Sequence, residues 1–187
     1  TPSAMNQTDR NFYFWDGRAE TLEEQALGPI QNPVEMDLPL SIAIRRLKEN
    51  ETYRNAFYSI YGKAPSKDLL ASAIAAYERT LETDNSPFDK YMQGTDTSLF
   101  SESAKRGLNL FNTKAKCFDC HFTPDFTGDE FRNIGLYDGV VRKDRGRFEI
   151  TKDSNDLGKF KVPGLRNIAV TGPYMHDGSM KTLREVI

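Results

Sequence analysis

Thiols, imidazoles and indoles are scarce in this chain. Its 187 residues hold two cysteines, two histidines and one tryptophan. So few cysteines exclude a disulfide-stapled scaffold. Charge of one sign is also lacking: 25 Lys and Arg stand against 27 Asp and Glu, a net charge of −2. Nothing therefore points to nucleic acid or an anionic membrane as a partner. No apolar run approaches the ~18 residues of a membrane span, no alternating strand pattern persists, and no simple repeat is present. The chain begins Thr-Pro-Ser, with neither Met nor a leader, which is the expectation for a chain whose signal was removed or for a trimmed piece. Its length suits one domain or two small ones.

What little sulfur there is lies together. Both cysteines and one histidine form Cys117-Phe118-Asp119-Cys120-His121, the C-x-x-C-H attachment signature of c-type haem. Two thiols add across the two porphyrin vinyl groups, and the adjacent imidazole becomes the proximal ligand of the iron. A structural zinc site needs further Cys or His ligands nearby, and only distant His176 remains. A thioredoxin-like C-x-x-C wants a βαβ setting, and none is visible. Covalent haem also carries a compartment, since the attachment is made outside the bacterial cytoplasm.

The rest of the chain reads as helices and loops. An aromatic cluster at 11–15 precedes a turn at Asp16-Gly17. Thr21 with Glu24 forms a capping box for a helix over 22–27, which Gly28-Pro29 ends. Leu40, Ile44 and Leu47 share one face of a helix over 40–50; Tyr53, Phe57 and Ile60 mark another, stopped at Gly62. Ser66 caps a longer helix striped by Leu70, Ile74, Tyr77 and Leu81. Asp84-Asn85-Ser86-Pro87 is the best domain boundary, dividing 1–85 from 86–187. Short helices are expected over 88–92 and 104–111. Gly107 in the latter costs about 1 kcal/mol relative to Ala and predicts a close helix approach. Residues 122–165 read as a long loop wrapped around a cofactor, and a final helix starts at 183. The fold class is all-α.

Four ordered stretches resemble the bacterial di-haem cytochrome c peroxidase family, which includes MauG-type enzymes. They are Phe14-Trp15-Asp16-Gly17-Arg18-Ala19; Gln25 through Asn32-Pro33-Val34-Glu35-Met36; the haem motif; and Val162-Pro163-Gly164-Leu165-Arg166-Asn167 with Gly172-Pro173-Tyr174-Met175-His176-Asp177-Gly178. The resemblance implies two cytochrome c-like haem domains, hence two haem c groups in the intact protein. The motif at Cys117 then matches the electron-accepting haem, and 86–187 its domain. Residues 1–85 become a remnant of the peroxidatic domain, whose own C-x-x-C-H is expected upstream of Thr1.

The resemblance also assigns roles. Trp15 matches the tryptophan between the haems that relays electrons. Gln25 and Glu35 match the pair over the peroxidatic iron, where a carboxylate moves a proton during peroxide cleavage and an amide orients the peroxide. Without the motif, each would read as a solvated residue and Trp15 as a core aromatic. Thr171 and Pro173 match carbonyl ligands of a calcium ion, whose side-chain ligand is expected before Thr1. Arg166 and His176 are expected near the haem at Cys117, on its propionates or in a water network, although a plain turn histidine is the competing reading. Met175 and Met180 are left unassigned, because the family's sixth ligand is expected past Ile187.

The function implied is periplasmic reduction of hydrogen peroxide, with electrons from a small cytochrome c or copper protein. One alternative is a MauG-like oxidase acting on a protein substrate. Another is a mono-haem electron-transfer domain, and the isolated chain is expected to show little peroxidase turnover. The resemblance further implies a homodimer, by analogy alone.

Overall fold

The computed structural model describes residues 2–8 and 10–187. The chain divides into two compact units: Gln7–Tyr13 with Arg18–Leu81, and Thr1–Asn6 with Phe14–Gly17 and Glu82–Ile187. The described residues are mainly helical, and none of their helices is long and apolar enough to cross a membrane.

The first unit is built on four helices: α1 (Leu22–Gln31), α2 (Leu40–Glu49), α3 (Glu51–Tyr61) and α4 (Lys67–Glu78). Side-chain caps start three of them. Thr21 accepts from the Glu24 N–H, Asn50 from that of Tyr53 and Ser66 from that of Leu69, satisfying amides that a helix start leaves orphaned. The capping box at Thr21 is displaced by one residue, because Glu24 Oε2 accepts from the N–H of Glu20 at 2.9 Å. Gly28-Pro29 does not end α1, which continues to Gln31. Ring closure removes one N–H there, but Ile30 and Leu27 are buried with Ala43 and Ala71, and that apolar contact favours a further turn of helix. α1 packs against α4. Arg79 clamps Glu23 through two bonds of 2.8 and 3.1 Å.

Ala71 and Ala75 are 3% and 0% exposed, so α4 turns a small-residue face inward. The isobutyl side chain of leucine at the fully buried Ala75 would overpack this face. The Ala75→Leu variant is expected to lose about 1–3 kcal/mol, read as a lower urea midpoint; an unchanged midpoint would show that the neighbours yield.

The second unit contains α5 (Pro87–Gln93), α6 (Glu102–Asn112), α7 (Phe148–Thr151) and α8 (Leu183–Val186). Between them lies the long loop, tied by one short antiparallel pair, β1 (Phe131–Arg132) and β2 (Phe160–Lys161), in the register Phe131 to Lys161. Two residues per strand are too short to show a period in sequence. Phe14–Gly17 joins this unit for backbone reasons. The Lys161 N–H donates to the Trp15 carbonyl at 2.8 Å. Arg147 donates to the carbonyls of Asp16 and Gly17 at 3.0 and 2.8 Å and covers the Phe131 ring. Gly17 has φ 71°, and a Cβ there would run into the Phe131 ring and Arg147, so both backbone conformation and space require glycine.

Candidate functional site

Cys117-Phe118-Asp119-Cys120-His121 forms one tight turn. The N–H of Cys120 donates to the Cys117 carbonyl at 3.2 Å, and that of His121 to the same oxygen at 2.9 Å. Positions i, i+3 and i+4 of such a turn share a side. The C-x-x-C-H spacing therefore presents two thiols and an imidazole together, and both thiols are free and half-buried. His121 Nδ1 lies 2.8 Å from the carbonyl oxygen of Phe126. A carbonyl only accepts, so Nδ1 carries the proton and Nε2 keeps its lone pair, the tautomer a metal-ligating histidine needs.

The surroundings fit a large planar apolar group. α6 packs against the motif turn, yet none of its residues is buried, and Leu110 is half exposed. Phe88, Phe100, Phe111 and Phe126 form a run of ring contacts at 4.8–6.1 Å. Phe118 and Phe122 meet edge to face beside the thiols. The close approach expected at Gly107 is not made by another described part of the chain, since a Cβ there would meet no such atom within 4 Å outside its own helix backbone and chain neighbours.

Trp15 is half-buried, and its indole Nε1 is a buried donor with no acceptor among the described residues. A buried orphan donor is costly, and a carboxylate such as a porphyrin propionate would satisfy it. The strand that holds the Trp15 backbone also holds His176, which stacks on Phe160 at 3.6 Å between ring centroids and lies 3.8 Å from the Asp144 carboxylate. His176 is thus a packed residue at the tip of the turn closed by Tyr174 and Met180, whose N–H and carbonyl pair at 2.7 Å. Gln25 lies on α1 in the other unit, and its Oε1 is likewise buried without a donor among the described residues. Glu35 is exposed in the turn after α1, where the Asn32 amide donates to it at 2.7 Å. Thr171 and Pro173 are exposed. Their two carbonyls are a minority of the six to eight oxygens that calcium takes, so they do not make a calcium site by themselves.

Arg166 finds its carboxylates within the chain. Its guanidinium forks onto Asp89 at 2.8 and 3.0 Å, and its Nε donates to Asp125 at 2.7 Å. Arg166 and Asp89 are about nine-tenths buried. Asp89 is also the third residue of α5, in a capping box with Ser86. Hydrogen bonds from Arg166 hold the Asp89 carboxyl well below the usual carboxylate range; burial opposes this and Ser86 adds to it. A carboxyl whose pKa is depressed on folding stabilises fully above its unfolded value, about 3.9, and the contribution is lost as pH falls through the folded value. The protein is therefore expected to lose urea resistance on acidification below about pH 4. Asp89→Asn should start from a lower midpoint at pH 7 and show a flatter acid limb; identical limbs would remove Asp89 from the account.

Phe126, Asp89 and Asp125 carry no signature in sequence that marks them for this site. The Ser86-x-x-Asp89 spacing, whose Ser86 reads as part of the domain boundary, has the form of a helix-capping box and is the available signal for Asp89.

The chain matches the family model described as "Di-haem cytochrome c peroxidase" over residues 1–97. It is 41% identical to the methylamine utilization protein MauG of Methylophilus methylotrophus over 192 residues, covering 100% of this chain and 56% of that protein. It is 37% identical to the cytochrome c551 peroxidase of Nitrosomonas europaea over 189 residues, with 100% and 56% covered. A solved MauG-like protein associated with microbial copper homeostasis superimposes with a TM-score of 0.88 at 32% identity, covering 99% of this chain and 60% of that one. The chain thus spans about half the length of the curated relatives it matches. The motif turn, its oriented imidazole and these likenesses agree: the chain belongs to the di-haem cytochrome c peroxidase family, an oxidoreductase family that uses haem c.

Proposed function

We propose that the protein containing this chain reduces hydrogen peroxide to water in the periplasm, with electrons from a small cytochrome c or copper protein. The observation that carries the reading is the attachment turn, in which two free thiols stand beside an imidazole whose Nδ1–H is already committed to Phe126. Cys117 and Cys120 would hold the haem through their thiols, and His121 would ligate its iron through Nε2. When bound, the group supplies a one-electron store, ferric to ferrous.

The other residues act around it. Trp15 offers polarizable π density for electron passage, and its buried N–H is available to an acceptor. The overall reaction consumes one peroxide, two electrons and two protons and yields two waters. Glu35 takes the proton from the near peroxide oxygen and returns it to the far one, and the Gln25 amide orients the molecule. This is the acid–base work a positioned carboxylate does.

A second reading, a MauG-like oxidase drawing electrons from a protein substrate through Trp15, is supported by the 41% identity to MauG and the 0.88 TM-score of the MauG-like structure. Stopped-flow oxidation of reduced cytochrome c by the full-length protein separates the readings. Peroxidase activity consumes two equivalents of donor per peroxide. Haem-loaded protein that leaves the donor reduced would overturn the first reading.

A further inference from the structure

The ring of His121 is held through the carbonyl of Phe126, and that carbonyl needs explaining. Phe126 has φ 57°, a left-handed conformation that costs a residue with a Cβ about 1–2 kcal/mol. Such a conformation persists only where its surroundings fix it. Both neighbours of Phe126 are fixed. On one side, the Asp125 carboxylate accepts from Arg166 Nε at 2.7 Å and Asn6 Nδ2 at 3.4 Å, and its carbonyl accepts from the Leu165 N–H at 3.2 Å. On the other, the Thr127 N–H donates to Phe122 at 3.0 Å, and its hydroxyl donates to the Val162 carbonyl at 2.6 Å. Arg166 is itself held by Asp89, and Asp89 by the Ser86 cap of α5.

We propose that the Asp89–Arg166–Asp125 cluster is a positioning device for His121: by fixing Asp125 it keeps the Phe126 carbonyl on Nδ1 and so sets how strongly the imidazole donates to iron. The proposal rests on haem attachment at Cys117 and Cys120. A carbonyl that accepts from Nδ1–H raises the basicity of Nε2, and a more basic ligand favours the ferric ion. Loosening the device weakens the donor and favours the ferrous ion. Arg166 is suited to the task by its fork, since one planar group reaches both carboxylates. A lysine ammonium has no such geometry.

Arg166→Lys and Asp125→Asn in the full-length holoprotein test this by spectroelectrochemical titration. The haem concerned is identified as the one whose signal disappears in the Cys117→Ser, Cys120→Ser double variant. Either variant is expected to shift its ferric–ferrous equilibrium about tenfold toward ferrous, the lower end of what loss of a supporting partner costs, which is a rise of about 59 mV for one electron. Arg79→Lys, which loosens the ion pair with Glu23 in the other unit, should leave the potential unchanged. If Arg166→Lys does not fold, Asp125→Asn, which keeps shape but removes the charge that holds Arg166, decides. Folded, haem-bearing variants with a lowered melting temperature and an unshifted potential would overturn the device and leave attachment standing. A haemochrome spectrum missing from the unmodified protein would overturn attachment and the device together.

Discussion

With Cys117 and Cys120 both replaced by Ser, the protein is expected to lose covalent haem at this site completely, while its polypeptide is still made. The thioether bond forms when a thiol sulfur adds to a vinyl carbon, and a serine hydroxyl is too weak a nucleophile to replace it. Neither sulfur has a structural duty, among the described residues, whose loss confuses the result: the cysteines are not bridged to each other, and the Cys117 thiol makes a long contact of 3.7 Å with the Ala115 carbonyl. Each single variant retains one attachment point and should keep the group by one bond. Intact mass and a pyridine haemochrome spectrum on denatured protein read this directly, because only covalently held haem survives extraction. A double variant with the mass of one more haem than expected would sink the assignment. Loss of the group should also loosen α6, whose apolar face, Leu108 and Phe111, has no buried residue. Faster hydrogen exchange over Glu102–Asn112 follows from that.

How far sequence reaches depends on how local the determinant is. The attachment turn is legible because its chemistry fixes three residue types at fixed spacing. The helix starts at Leu22 and Lys67 are legible because Thr21 and Ser66 cap amides three residues on, whereas the helices from Pro87 and Glu102 begin one and two residues before the expected starts. Determinants that act across the chain are not legible. Pro29 is a local stop signal overridden by burial of Leu27 and Ile30 against Ala71. The β1–β2 pair joins residues 28 and 30 positions apart with two residues a side, less than any periodicity needs. Arg166 is recognisable from its motif, yet its partners Asp89 and Asp125 lie 77 and 41 residues away, so the expectation of propionate contacts has no way to include them. Trp15 shows the opposite limit. Its motif marks it, while the reason it stays in place is a backbone bond to Lys161.

Glu35→Gln in the full-length protein is expected to lower peroxide turnover by about 10²–10⁴-fold, the range a positioned acid–base group supplies, with a much smaller effect on the apparent affinity for peroxide. The substitution keeps shape and hydrogen bonding and removes only the capacity to hold a proton, so the loss belongs in kcat. The turn around Glu35 already restricts it. The Glu35 N–H donates to the Asn32 carbonyl at 3.0 Å, the Met36 N–H to Pro29 at 3.2 Å and the Leu38 N–H to Ile30 at 2.8 Å. The Asn32 side chain holds both the Val34 N–H and the Glu35 carboxylate, at 3.2 and 2.7 Å. One asparagine therefore shapes the turn and fixes the Glu35 carboxylate. Asn32→Ala keeps a carboxylate at position 35 without its anchor, and should fall between the parent and Glu35→Gln. Stopped-flow rates of peroxide-dependent cytochrome c oxidation, saturated in peroxide, rank the three. If Glu35→Gln retains parental kcat, the proton is moved by another group, and the continuation of α1 through Pro29 into this turn serves packing alone.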